Sequence, residues 1–141
     1  MKKILFSTLI LFLAFLFTGH SQILQPVKWS FDTKKINSEE FELILKAEMD
    51  KGWHIYGIDI PEGGPIPTSF KFNPSADYEL SGNLETPKAI EKYDNAFEMD
   101  LRYYDDNAKF RQRVKMKSDK PFKVTGELEF IEDRLIGGGI V

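Results

Sequence analysis

The sequence predicts an all-β fold whose antiparallel strands pack as a sandwich or close as a barrel. Three observations lead there. Five segments alternate apolar and polar residues with period two, the mark of strands with one face on a core and one in water. Clusters of Pro, Gly, Asn, Asp and Ser punctuate those segments at short intervals. The 141 residues include no cysteine, so disulfides, thiolate metal sites and thiol chemistry are all excluded. A length of one domain and an apolar fraction of 42% have to supply the core unaided.

The first 21 residues stand apart. Lys2 and Lys3 follow Met1, and residues 4–17 are apolar except Ser7 and Thr8. Gly19 and Ser21 then put small residues three and one positions before Gln22. This is the layout of a secretory signal peptide, with cleavage expected between Ser21 and Gln22. The apolar run is shorter than the ~20 residues of a spanning helix. No cysteine follows it to carry a lipid. Removing 21 of 141 residues leaves 120, and loss of Lys2 and Lys3 takes the net charge from −3 to −5. An acidic exported domain is not an electrostatic binder of nucleic acid.

The alternating segments follow in order. Val27, Trp29 and Phe31 alternate with Lys28, Ser30 and Asp32. Residues 37–49 are ambiguous, because Asn37 with Glu40 three places on resembles a helix cap. Alternation through Phe41, Leu43, Leu45, Ala47 and Met49 favours a strand. Trp53-His54-Ile55-Tyr56 reads as a short strand with alternate residues buried. Met99, Leu101 and Tyr103 begin another. Ala108 to Lys117 and Phe122 to Phe130 complete the set. Turns are expected at residues 61–65, 73–74, 81–83, 105–107 and 118–121.

Few residues suggest chemistry. Lys109, Arg111, Arg113, Lys115 and Lys117 form a basic stripe along one strand face. A hairpin with Ser118 opposite Phe122 would set Arg113 against Glu127 and Arg111 against Glu129. Such cross-strand pairs add roughly 0.2–1 kcal/mol each, so charge balance within a sheet is favoured over a polyanion site. His54 is the one histidine beyond the leader, and no second histidine or cysteine accompanies it to hold a metal. No Gly-x-Ser-x-Gly elbow supports a hydrolase. Residues 61–68, Pro-Glu-Gly-Gly-Pro-Ile-Pro-Thr, form a turning loop in which Gly63 and Gly64 permit positive φ and Pro65 stiffens the chain. That loop shapes the surface or docks a partner. Tyr93-Asp94-Asn95-Ala96-Phe97 reads as a loop whose phenylalanine tucks into the core. Asp105 and Asp106 read as solvated acids at a hairpin tip.

Taken together, Lys51-Gly52-Trp53-His54-Ile55-Tyr56, Gly63-Gly64-Pro65-Ile66-Pro67-Thr68-Ser69-Phe70, Tyr93-Asp94 through Phe97, Lys120-Pro121-Phe122 and Val124-x-Gly126 resemble a known family. It is the N-terminal periplasmic domain of the thiol:disulfide interchange protein DsbD, in the form common among Bacteroidetes. The resemblance runs from about Val27 to Phe130. It implies an immunoglobulin-like β-sandwich that takes electrons from a membrane donor domain and passes them to periplasmic thiol–disulfide proteins. It also implies a cysteine pair following the strand that matches Glu127 to Phe130. Phe97 and Asp94 match the loop that caps this pair.

The chain departs from the family after Phe130. Residues 131–141 hold no cysteine, no Pro-Pro and no further alternating strand. Thiol–disulfide exchange needs an attacking thiolate, so no catalytic residue, cofactor or metal is assigned. The domain expectation is a leader at 1–21, an immunoglobulin-like domain at 22–130 lacking its final strand, and an atypical tail at 131–141. A frameshift, truncation or assembly error would produce such a tail, and so would a redox-silent paralogue. An edge at residues 122–130 would then invite self-association. Two functions follow as expectations. One is a redox-inactive relative of a periplasmic disulfide reductant. The other is a non-catalytic exported module that binds protein or glycan through His54, Tyr56, Phe97 and the Gly63–Gly64–Pro65 loop.

Overall fold

The computed structural model describes residues 24–136 and 139–140. The leader expected at residues 1–21 lies outside the described residues. Eleven strands are described: β1 (Val27–Lys35), β2 (Glu40–Met49), β3 (Trp53–Tyr56), β4 (Ser69–Phe72), β5 (Tyr78–Glu85), β6 (Ile90–Asp94), β7 (Met99–Asp105), β8 (Asn107–Met116), β9 (Gly126–Glu129), β10 (Glu132–Ile136) and β11 (Gly139–Ile140). There is no helix among the described residues, hence none long and apolar enough to cross a membrane. The ambiguous segment is therefore strand β2. Its cap-like Asn37 does bond backbone N–H groups, but in a turn. Asn37 Oδ1 accepts from Glu39 and Glu40, both at 2.8 Å, and swings β1 into β2.

The strands form antiparallel sheets in the orders β1-β2-β8-β5, β11-β10-β3-β7-β6 and β4-β9. The first two bury their apolar faces against one another, giving the expected sandwich rather than a barrel. Val27, Leu45, Ala47, Met49, Ala108 and Phe110 come from the first sheet, and Ile55 and Tyr104 from the second. Phe110 is fully buried at the centre of an aromatic cluster. Trp29, Phe70 and Tyr104 lie at ring-centroid distances of 6.0, 4.8 and 5.3 Å from it. The two-stranded sheet covers one side of this cluster through Phe70.

Several local expectations are corrected. Residues 81–83 do not end a strand. They bulge inside β5, where the pairing with β8 shifts between Ser81 and Glu85 and Gly82 adopts φ 72°. Gln112 Nε2 donates to the Ser81 and Gly82 carbonyls at 3.3 Å and holds the bulge. Asp105 and Asp106 are not at a hairpin tip. They carry the chain from β7 in one sheet to β8 in the other, with Asp106 at φ 53° and its carbonyl accepting from Met49 N–H at 2.9 Å. The expected hairpin between Ala108–Lys117 and Phe122–Phe130 does not form. β8 lies between β2 and β5, while β9 pairs with β4. Arg111 accordingly approaches Glu42 at 4.0 Å and Glu85 at 3.9 Å, and Lys117 meets Glu79 at 2.8 Å. Two of the five stripe residues, Arg111 and Lys117, are thus paired with acids, though not with those expected, while Lys109 faces Lys46 across the ladder.

Residues 118–125 hold no strand, yet Phe122 is anchored against Phe41 and Tyr78, 6.0 and 5.7 Å away. β9 follows, and Gly126 sits so close to β4 that a Cβ there would lie 2.4 Å from the Lys71 carbonyl oxygen. Among the described residues β4 is the only ladder partner of β9, so one side of β9 is open. The tail, by contrast, is not strandless. β10 pairs with β3 in the register Glu132↔Ile55, Asp133↔His54, Arg134↔Trp53, and β11 pairs with β10. Sequence alternation misses β10 because Glu132-Asp133-Arg134 is polar throughout.

Candidate functional site

Strand β3 is short and central, between β10 and β7. Its two faces meet different surroundings. Ile55 points into the core between the sheets. His54 and Tyr56 lie on the other face, and alternation predicts that this face is exposed. Instead His54 is 0% exposed and Tyr56 is buried, so His54, Ile55 and Tyr56 are all enclosed.

The His54 ring stands edge-on to Tyr56 at 5.1 Å and tilted to Tyr103 at 5.2 Å. The register places Tyr103 opposite Tyr56, and Asp105 and Asp133 opposite His54 on either side. Tyr56 donates its hydroxyl hydrogen to Asp133 Oδ2 at 3.1 Å. Neither His54 nitrogen has a hydrogen-bond partner. Burial pushes the imidazole below its ordinary pKa, opposed in part by the negative charges of Asp133, Asp105 and Asp94. Burial also pushes the Tyr56 phenol far up, and the Asp133 carboxylate adds to the effect by charge and hydrogen bond. Tyr103 shifts up for the same first reason, with Asp105 adding to it.

Two loops border this cluster. Residues 57–68 are closed at their base. Thr68 N–H donates to the Gly57 carbonyl at 3.1 Å, and Thr68 Oγ1 donates to the Tyr56 carbonyl at 2.6 Å. Within the loop Gly64 N–H donates to the Pro61 carbonyl at 3.1 Å, and Gly63 takes φ 89° as the sequence leads one to expect. A Cβ on Gly64 would meet Ile60 Cγ2 at 2.6 Å and Met99 Sδ at 3.2 Å. Pro65 follows in this loop, half-buried.

Met99 pairs with Asp94, so the glycine loop abuts the foot of the Asp94–Phe97 loop. Asp94 is buried, and its Oδ1 accepts from the backbone N–H groups of Ala96 and Phe97 at 2.7 and 3.0 Å. Its Oδ2 has no partner. Phe97 does not tuck into the core. It is 37% exposed, beside Tyr93 at 53%. The residues singled out in the sequence thus fall into one region, but in two states: His54, Tyr56 and Asp94 enclosed, Phe97 and Tyr93 at the surface. Sequence reasoning missed Asp133, Tyr103 and Asp105. Tyr103 had a signal, its place in an alternating strand. Asp133 had none, because only pairing with β3 puts it there.

An apolar cleft of about 380 Å³ lies elsewhere, between β1–β2 and β4–β9, lined by Phe31, Leu43, Phe70, Phe72, Val124 and Leu128 among others. It contains none of the sequence-predicted site residues His54, Tyr56, Gly63, Gly64, Pro65, Asp94 and Phe97. No group of three or more His, Cys, Asp or Glu placed to hold a metal occurs among the described residues.

Fold and site together define an antiparallel β-sandwich domain with an enclosed histidine–tyrosine–aspartate cluster flanked by two shaped loops. The model of the family described as "Thiol:disulfide interchange protein DsbD, N-terminal" matches residues 20–131, and the chain belongs to that family. The match covers β1 to β9 and stops short of Asp133. Neither the curated proteins nor the solved structures compared with the chain gave a match. The chain itself contains no cysteine.

Proposed function

We propose that this chain is a redox-inactive member of the DsbD N-terminal family, acting in the periplasm after removal of a leader at residues 1–21. The observation that carries the reading is the coexistence of a family match over residues 20–131 with a complete lack of cysteine. Electron transfer to a disulfide proceeds by thiolate attack and a mixed disulfide, and this chain supplies no thiol for either. The family's membrane donor and periplasmic thiol–disulfide partners are then proteins it can dock with but exchange no electrons with. Incubating the purified chain with a reduced thioredoxin-like donor and an oxidised thiol–disulfide protein tests this. The expected result is no acceleration of disulfide reduction over the donor alone, and acceleration would overturn it. Export is tested separately: periplasmic protein should begin at Gln22.

A second reading is supported by the exposed aromatics Tyr93 and Phe97 on either side of Asp94, whose ladder partner Met99 meets Gly64 of the glycine loop. It makes this end a non-catalytic docking surface for protein or glycan. Loss of a captured partner on Phe97→Ser, with unchanged thermal unfolding, is the expected result. Retention of the partner would remove Phe97 from that surface.

A further inference from the structure

We propose that the β3–β10 seam is an acid-sensitive latch, in which neutral His54 keeps β10 docked and protonated His54 releases it. The geometry makes the two states unequal. An imidazolium carries two N–H donors, and an unpaired buried charge is strongly disfavoured. The His54 ring is fully enclosed, and both nitrogens lack a partner. Charging the ring in place therefore leaves two donors unmet, and water or a moved carboxylate has to reach them.

The groups facing His54 can be named element by element. Tyr56 is on its own strand, Tyr103 and Asp105 are on β7, Asp133 is on β10, and Asp94 ends β6. The three carboxylates attract a cation, yet none hydrogen-bonds the ring. Asp133 is already engaged by the Tyr56 hydroxyl. Asp94 is engaged through Oδ1 by two backbone N–H groups.

One side of the cluster is weaker than the other. β7 is clamped between β3 and β6, and its Leu101, Tyr103 and Tyr104 are buried. β10 is held to β3 by three register pairs, as β7 is, and by the Tyr56–Asp133 bond, but its outer neighbour β11 adds two pairs where β6 gives β7 five, and its Asp133 and Arg134 retain solvent exposure. Local opening follows the weaker side, so β10 is the element that yields.

The direction with pH follows from linkage. A histidine whose docked-state value is depressed stabilises docking fully above its ordinary value of about 6.5 and loses that contribution as pH falls. Glu132, also on β10, is raised by burial and acts oppositely, since its protonation favours docking. It limits release at the acid end rather than causing it.

Hydrogen exchange of the full chain, corrected for intrinsic rates, tests the latch. From about pH 7.5 to about pH 5.5, protection of the Asp133 and Arg134 amides is expected to fall on the order of tenfold, while that of Phe110 holds. In His54→Phe, which keeps an aromatic ring without the titration, the β10 amides should lose less than about twofold. An equal loss in that variant, or no loss in the wild type, overturns the proposal. If His54→Phe does not fold, NMR titration of wild-type His54 decides. A ring midpoint below about 6.5, shared by the β10 amides, supports the latch. A midpoint at or above that value, or β10 amides that do not follow, refutes it.

Discussion

Ile55 and His54 are neighbours on β3, both fully buried, and they face opposite interiors. The Ile55 side is the apolar core, where Phe110 touches aromatic rings from three directions. The His54 side is polar, with a carboxylate–phenol bond, an unpartnered imidazole and an unpartnered carboxylate oxygen. The contrast separates burial from stability. Enclosure of apolar atoms contributes favourable free energy at every site, whereas enclosure of polar atoms does so only when each finds a partner.

That contrast can be broken from either side. The largest effect is expected at Phe110→Ala, which removes the centre of the aromatic cluster and should cost about 3–5 kcal/mol in urea unfolding. A cost below about 1 kcal/mol would mean that the core lies elsewhere. Tyr56→Phe removes the hydroxyl bonded to Asp133 and should cost about 1.5 kcal/mol, with the loss concentrated in exchange of β10 amides. His54→Phe should leave stability near pH 7.5 within about 1 kcal/mol of wild type, because it deletes two unsatisfied nitrogens while keeping the ring. The same variant should flatten the stability profile below about pH 6.5, since wild type loses stability there as the unfolded-state histidine takes up a proton that the enclosed one resists. The smallest effect belongs to the exposed face. Glu79→Gln removes the partner of Lys117 and should leave the urea midpoint unmoved.

The fold was legible where burial is one-sided. Val27 and Trp29 in β1, and Ala108 to Met116 in β8, alternate because one face meets the core and the other meets water, whereas Phe31, next in the β1 alternation, is 65% exposed. Legibility failed where a residue serves a distant partner. Ser81-Gly82-Asn83 has turn chemistry, but Gln112 uses the Ser81 and Gly82 carbonyls to hold a bulge. Asn37 has cap chemistry, but the N–H groups it satisfies precede a strand. The site shows the same division. His54, Tyr56 and Asp94 stand out in the sequence, yet their enclosure does not, because the covering residues are remote. Asp133 sits 77 positions from the hydroxyl it accepts from, in a polar run with no pattern of its own. Strand formation there is dictated by β3, not by local propensity.

Gly126 carries a consequence for how this sequence can drift. The distance between β4 and β9 is set by a missing methyl group, since any Cβ would press on the Lys71 carbonyl. Glu127 and Glu129, beside it, project into solvent and are free to change. In a population of variants, position 126 should therefore hold a single letter while its neighbours wander. That invariance would report the spacing of two backbones and nothing about binding or catalysis.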